Sequence, residues 1–162
     1  MNTIYLAGGC FWGVEAYIMQ LGGVVHTKVG YANSNTPNPS YELVCTGTTG
    51  ATETVKVDYD AKILPLSQLL DAFFLVIDPT TLNRQGPDAG TQYRSGIYYV
   101  DEADAPVITS AIARVQAQYN QPVVTEVMAL GNFYPAEEYH QHYLQKNPGG
   151  YCHIDLSKAK EQ

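Results

Sequence analysis

Apolar positions along the chain fall into short runs and helical stripes, punctuated by Gly and Pro. Thr3-Ile4-Tyr5-Leu6-Ala7 is a brief apolar run stopped by Gly8-Gly9, which reads as a buried strand. Phe11, Val14, Ile18 and Leu21 then recur at helical spacing until Gly22-Gly23, where the helix should stop. Val24 to Tyr31 is strand-like. The stretch from Ala32 to Thr52, rich in Asn, Pro, Gly and Thr, predicts a long loop. From Glu53 to Tyr59 the alternation has period two, the mark of a half-buried strand. Leu66, Leu69, Leu70, Phe73, Phe74 and Ile77 trace one helical stripe, ended at Asp78-Pro79. A second long loop runs to Arg94, before a strand from Gly96 to Val100. Val107, Ile108, Ala111, Ile112 and Val115 give a further helix its core face, and Val123 to Leu130 predicts another strand. Pro135 suits the first turn of a last short helix, with Glu137 and Glu138 facing the positive end of its dipole. Asn147-Pro148-Gly149-Gly150 is a turn into a tail that begins Tyr151-Cys152-His153.

The first six elements run βαββαβ. That order predicts an α+β fold with a ferredoxin-like core, a mixed sheet, long loops and an extended C-terminal tail. No repeat or linker divides the chain, so residues 1–162 are expected to form a single domain, and that length can bury a real core. A hydrophobic share of 45% against 15% charged residues is that of a globular protein rather than a disordered one. The net charge of -7, with its nine basic residues scattered, argues against nucleic acid or an anionic membrane as partner. No apolar run approaches the ~20 residues of a membrane-spanning helix, and the start of the chain does not read as a secretory signal.

Three cysteines without a CxxC pair are too few for a disulfide scaffold. They favour a reducing, cytoplasmic setting in which any disulfide is transient and catalytic. A zinc site from Cys10, Cys45, Cys152 and His153 would lack a ligand pair at finger spacing, and His140 and His142 are wrongly separated for paired ligands, so no metal is expected. The thirteen tyrosines supply amphipathic core and rim residues, and some are available as hydrogen-bond donors in a site.

Chemistry gathers at Gly8-Gly9-Cys10-Phe11-Trp12-Gly13. A cysteine at a strand-to-helix turn meets converging backbone N–H groups and the positive end of the helix dipole, which should favour the thiolate. The plainer alternative is a buried thiol that packs as a small hydrophobe. Two adjacent aromatics, Phe11 and Trp12, cannot share one helix face, so one is free to line a pocket. Glu53 shares strand parity with Val55, Val57 and Tyr59, which aims it at the core. A carboxyl so placed keeps its proton near neutral pH and becomes a candidate acid; otherwise, as a strand-end Glu, it simply reaches water. Two rival functions stand beside a redox one. A thiol hydrolase would use Cys10 with His140 or His26 as base, and a ferredoxin-like binding module would have no turnover.

The string Gly9-Cys10-Phe11-Trp12-Gly13 resembles the signature of A-type peptide methionine sulfoxide reductases. The likeness continues in order through Gly30-Tyr31-Ala32, Pro39-Ser40-Tyr41-Glu42, Thr49-Gly50 and Glu53. It extends through Asp78-Pro79-Thr80, Gln85-Gly86 with Asp88, and Gly90 to Ser95. Phe133-Tyr134, Glu137 to Gln141 and Gly150-Tyr151-Cys152 complete it. The resemblance implies that Cys10 attacks the sulfur of the S epimer of methionine sulfoxide, free or in proteins, while Glu53 protonates the oxygen. Tyr41 and Tyr93 would hydrogen-bond that oxygen, and Phe11 and Trp12 would hold the S-methyl group. Asp88 would support binding, and Tyr151 falls among the substrate-binding residues. Cys152 would resolve the sulfenic acid on Cys10 as a disulfide, which a thioredoxin-like protein reduces. No cofactor is implied, and a monomer is expected. Two departures stand out: Ala51-Thr52 replaces the usual His-Ala before the glutamate, and no second recycling cysteine follows Cys152. Cys45, in the long loop, reads as a bystander thiol.

Overall fold

The computed structural model describes residues 1–150 together with Cys152, Ile154 and Leu156. Tyr151, expected in the substrate site, lies outside the described residues. The predicted order of elements is present. β1 (Asn2–Gly8) leads into α1 (Phe11–Ile18) and then β2 (Val24–Ala32). The long loop that follows holds a short helix, α2 (Tyr41–Cys45), before β3 (Thr52–Tyr59) and α3 (Leu66–Phe74). The second loop holds a hairpin, β4 (Arg84–Gln85) with β5 (Asp88–Ala89), and leads to β6 (Ser95–Tyr99) and α4 (Ala105–Gln116). β7 (Glu126–Ala129), β8 (Phe133–Pro135) and α5 (Tyr143–Lys146) follow.

Among the described residues, six strands form one sheet in the order β7-β6-β1-β3-β2-β8. β6 and β7 pair in parallel and the other neighbours antiparallel, so the sheet is mixed as expected. β1 and β2, joined through α1, therefore run parallel with β3 between them, and β3 and β6, joined through α3, flank β1 in the same way.

The pleat sorts the strand residues onto two faces. Ile4, Leu6, Val29, Tyr31, Val55, Val57 and Ile97 meet Phe11, Val14 and Ile18 of α1, Leu69, Leu70 and Phe73 of α3, and Ile108 and Ala111 of α4 in the main core. The opposite face carries a smaller cluster of Tyr5, Ala7, Ala32 and Tyr98, covered by Leu130 and Phe133. Leu69, Leu70 and Phe73 are fully buried, and their transfer from water contributes roughly 5–9 kcal/mol before ordering entropy is set against it. No helix among the described residues is long and apolar enough to cross a membrane.

Several boundaries differ from the sequence pattern. α1 ends at Ile18, because Gln20 and Leu21 close tighter turns onto Tyr17 and Ile18 at 3.2 and 3.0 Å. α3 likewise stops at Phe74, short of Ile77. The strand predicted from Val123 is confined to β7, since the Val124 N–H instead donates to the Pro79 carbonyl at 2.7 Å. The short helix expected to open at Pro135 is absent. Phe133–Pro135 pairs with Gly30–Ala32 as β8, and a 3-10 turn (Glu138–His140) and α5 come after it. The unpaired edge of β2 explains this: β8 satisfies backbone groups that would otherwise be left open there, and the Ala136 N–H extends the pairing to the Val29 carbonyl at 3.0 Å.

Candidate active site

The turn between β1 and α1 is set by its two glycines. Gly9 has φ of 92°, a left-handed conformation that favours glycine, while a Cβ on Gly8 would stand 2.8 Å from Ile77 and 3.0 Å from Phe73. Cys10 follows as the N-cap residue of α1, with 8% of its surface exposed. The backbone N–H groups of Trp12 and Gly13 lean toward its sulfur and pull its pKa down, without closing a cap hydrogen bond. They do not prevail. Burial is the largest influence and drives the thiol far above its ordinary value, with Asp88 and, once it is ionised, Glu53 adding to the rise. The turn favours a thiolate as expected but is outweighed, and the plainer alternative of a buried thiol holds at rest: a helix end contributes less than desolvation costs at this depth.

Glu53 lies on the helix-facing side of β3, opposite Tyr31 of β2, and is 1% exposed. The Phe11 N–H, first of α1, donates to Glu53 Oε1 at 3.2 Å, which fixes the carboxyl beside the residue next to Cys10. Its second oxygen is buried with no partner among the described residues. Burial raises the Glu53 pKa to about 8, the Phe11 N–H lowers it somewhat, and Asp88 adds to the rise. At neutral pH the carboxyl carries its proton. Glu53 thus faces the core as strand parity predicts, and the water-facing alternative does not hold.

Around this pair stand two phenols. Tyr41, the first residue of α2, and Tyr93, in the 3-10 turn Thr91–Tyr93, both lie within electrostatic reach of Glu53. Burial drives both pKa values well up, so both remain O–H donors. Arg94 anchors the Tyr93 turn by donating to the Thr91 carbonyl, the Gly50 carbonyl and Glu126, each at 2.8 Å. Asp88, on β5, adds negative potential at both Cys10 and Glu53. Cys45 is nearer to this chemistry than a bystander in a loop: it sits one helical turn after Tyr41, whose hydroxyl pairs with its thiol.

Phe11 is fully buried, in contact with Tyr31 and His140. Trp12 is half-buried and stacks on Tyr143, with ring centroids 3.7 Å apart and planes 11° from parallel. Glu137 is a residue whose role the sequence pattern concealed. The sequence pattern places it at the start of a helix, yet its carboxylate accepts from the Tyr31 hydroxyl at 2.9 Å and the Tyr41 N–H at 3.1 Å. Burial works to raise its pKa, but those donors outweigh it and hold the carboxylate ionised. His140, a candidate ligand or base by residue type, is likewise buried among the site's aromatic rings. Neither contact leaves a signature in a single sequence, since both depend on β8 folding back against β2.

Cys152 is half-buried against the main core, its thiol donating to the Ile154 carbonyl at 3.2 Å, and all three cysteines are free. Among the described residues no cluster of His, Cys, Asp and Glu is placed to hold a metal ion.

Comparison with known proteins gives this arrangement a context. The family described as "Peptide methionine sulfoxide reductase" matches residues 2–162. The chain belongs to this family. Among reductase relatives, it is 59% identical over 161 residues to the peptide methionine sulfoxide reductase MsrA of Clostridium acetobutylicum, covering 99% of each chain. Among solved structures, it is similar to Mxr1 of Saccharomyces cerevisiae in reduced form, with a TM-score of 0.88 and 44% identity, covering 93% of this chain and 88% of that one. A structure of Mxr1 in complex with Trx2 matches with a TM-score of 0.63 and 28% identity, over 88% of this chain and 84% of that one. The reductase fold, an α+β architecture with a mixed sheet, is thus shared along nearly the whole chain.

Proposed function

We propose that this chain, as one domain over residues 1–162, reduces the S epimer of methionine sulfoxide to methionine, with Cys10 as nucleophile and Glu53 as acid. The observation that carries the reading is a protonated, buried carboxyl tied to the first N–H of the helix that Cys10 caps. The sulfoxide oxygen is a poor leaving group until it gains a proton. As Glu53 gives up its proton to that oxygen, the carboxylate so formed accepts the proton of the Cys10 thiol, so the thiolate arises only when substrate is in place. Tyr41 and Tyr93, held as neutral donors, hydrogen-bond the same oxygen when substrate is bound, the Tyr41 hydroxyl leaving the Cys45 thiol to do so. Phe11 and Trp12 orient the sulfur by packing its methyl group, while Asp88 supports binding through the network around Glu53. Tyr151 joins the substrate-binding residues.

A bond forms between the Cys10 sulfur and the substrate sulfur; the protonated oxygen then moves from the substrate sulfur to Cys10 as that S–S bond breaks, and methionine departs. The sulfoxide is reduced by two electrons and Cys10 is oxidised to the sulfenic acid. The Cys152 thiolate then attacks Cys10, whose hydroxyl leaves as water with a proton from solvent, closing a disulfide, and a thioredoxin dithiol restores both thiols; that the similar Mxr1 has been solved in complex with Trx2 supports this partner. The protein works as a cytoplasmic monomer without cofactor, metal, nucleic acid or membrane. The hydrolase reading loses its bases: His140 is engaged with Trp12, and His26 lies at an exposed strand position 3.8 Å from Asp58. Turnover of the two separated sulfoxide epimers with thioredoxin present tests the proposal. Turnover of the S epimer alone is expected, and equal rates for both, or none, would reject it.

A further inference from the structure

Trp12 and His140 are joined by a hydrogen bond that the reaction as derived does not use. The indole Nε1–H stands 3.0 Å from His140 Nδ1. An indole N–H can only donate, so Nδ1 must present its lone pair, and the imidazole must be neutral with its proton on Nε2. His140 is 1% exposed, and Nε2 finds no partner among the described residues. A histidine retained at that depth with one nitrogen unspent has its other nitrogen as its evident employment.

The ring is walled in on several sides. Phe11 and Trp12 of α1 contact it at centroid distances of 5.3 and 5.7 Å, Tyr41 of α2 at 4.7 Å, and Tyr139 of its own turn at 4.2 Å. We propose that His140 is a positioning residue that holds the Trp12 indole in the methyl-binding pocket, and does so only as the neutral imidazole. This rests on the assignment of Trp12 to that pocket. Protonation would place an N–H against the indole N–H, replacing an attraction by a repulsion of two donors. The charged groups that face His140 are Glu137 and Glu42, both favouring the cation, but burial outweighs them and keeps its pKa below that of an exposed histidine. Of the titratable neighbours, Glu137 is held, against burial, below its ordinary value by the Tyr41 N–H and Tyr31 hydroxyl, and burial raises the pKa values of Tyr41 and Tyr139, which stay neutral.

Trp12 is the only tryptophan in the sequence, so one indole N–H resonance reports the bond directly. The experiment follows its hydrogen exchange and chemical shift from neutral to acid pH in the full chain, together with KM and single-turnover rate for a peptide methionine sulfoxide. In the wild type the indole should be protected at neutral pH and lose protection on acidification, with KM rising in step. His140→Asn, whose Oδ1 stands where Nδ1 was, should keep protection and KM across the range. His140→Phe should lose protection at every pH and raise KM by roughly tenfold, about one hydrogen bond's worth, with little change in the saturated rate. An indole still protected in His140→Phe, or a wild-type KM and resonance unmoved by acid, would overturn the proposal; the wild-type acid series decides even if His140→Phe does not fold. Trp12→Phe separates the two layers. Were its KM unchanged, the pocket assignment would fall; were it raised while His140→Phe left KM alone, only the positioning role would.

Discussion

Replacing Glu53 by Gln removes one ionisable proton while keeping shape and the acceptor for the Phe11 N–H. In the folded chain this carboxyl titrates at about 8 against 4.5 when exposed, a gap worth about 5 kcal/mol in favour of the neutral acid. At pH 7 about nine in ten molecules carry the proton, and at pH 9 about one in ten. The wild-type single-turnover rate of sulfoxide reduction should therefore fall about tenfold between those values, whereas Glu53→Gln should be flat and slower at neutral pH by about 10²–10⁴-fold. The variant, though slower, gains stability. Below pH 4.5 the carboxyl is protonated whether folded or unfolded and costs nothing. As pH rises toward 8 the unfolded chain ionises while the folded one cannot, so stability is lost, by about 3 kcal/mol at pH 7. Glu53→Gln escapes that loss and should be more stable by up to this amount, less whatever its unpartnered amide N–H groups cost beside the vacant Oε2 position. Rapid-quench kinetics and urea unfolding, both across pH, measure the two effects. A wild-type rate that climbed through pH 8 would make Glu53 a base acting from its ionised form, and an unchanged rate in Glu53→Gln would remove it from the mechanism.

Cys10→Ser should abolish reduction of the S epimer, because a hydroxyl is far less nucleophilic at neutral pH; methionine release from purified variant is the measurement. Cys152→Ser should yield one equivalent of methionine per chain and then stall as a trappable sulfenic acid on Cys10, with thioredoxin-driven turnover lost. Cys45→Ser should keep recycling, and the reverse pair of results would move the resolving thiol to α2. Gly30→Ala should destabilise the fold by about 1–3 kcal/mol in thermal unfolding, since its Cβ would stand 2.5 Å from the Phe133 ring and the Tyr134 carbonyl where β8 crosses β2.

Much of this protein was legible in its hydrophobic periodicity. The strands β1, β2, β3 and β6 and the helices α1, α3 and α4 each carry a local alternation or stripe, and side-chain period alone was enough to turn Glu53 toward the core and Phe11 into it. The strand-to-helix turn bearing Cys10 was equally local, being written in Gly8-Gly9. What only the tertiary structure decided are properties that depend on desolvation or on distant chain segments meeting. The charge state of Cys10 was misjudged because the local helix end argues for a thiolate, while the depth of burial and the nearby carboxyls, set by β3 and β5, argue more strongly against it. Pro135 looked like a helix start until the open edge of β2 claimed Phe133–Pro135 as a strand. That pairing in turn carries Glu137 to Tyr31 and Tyr41, and His140 to Trp12, across 96 to 128 positions of sequence. Periodicity reports which face a side chain takes on its own element; it carries no information about which donor from another element will meet it there.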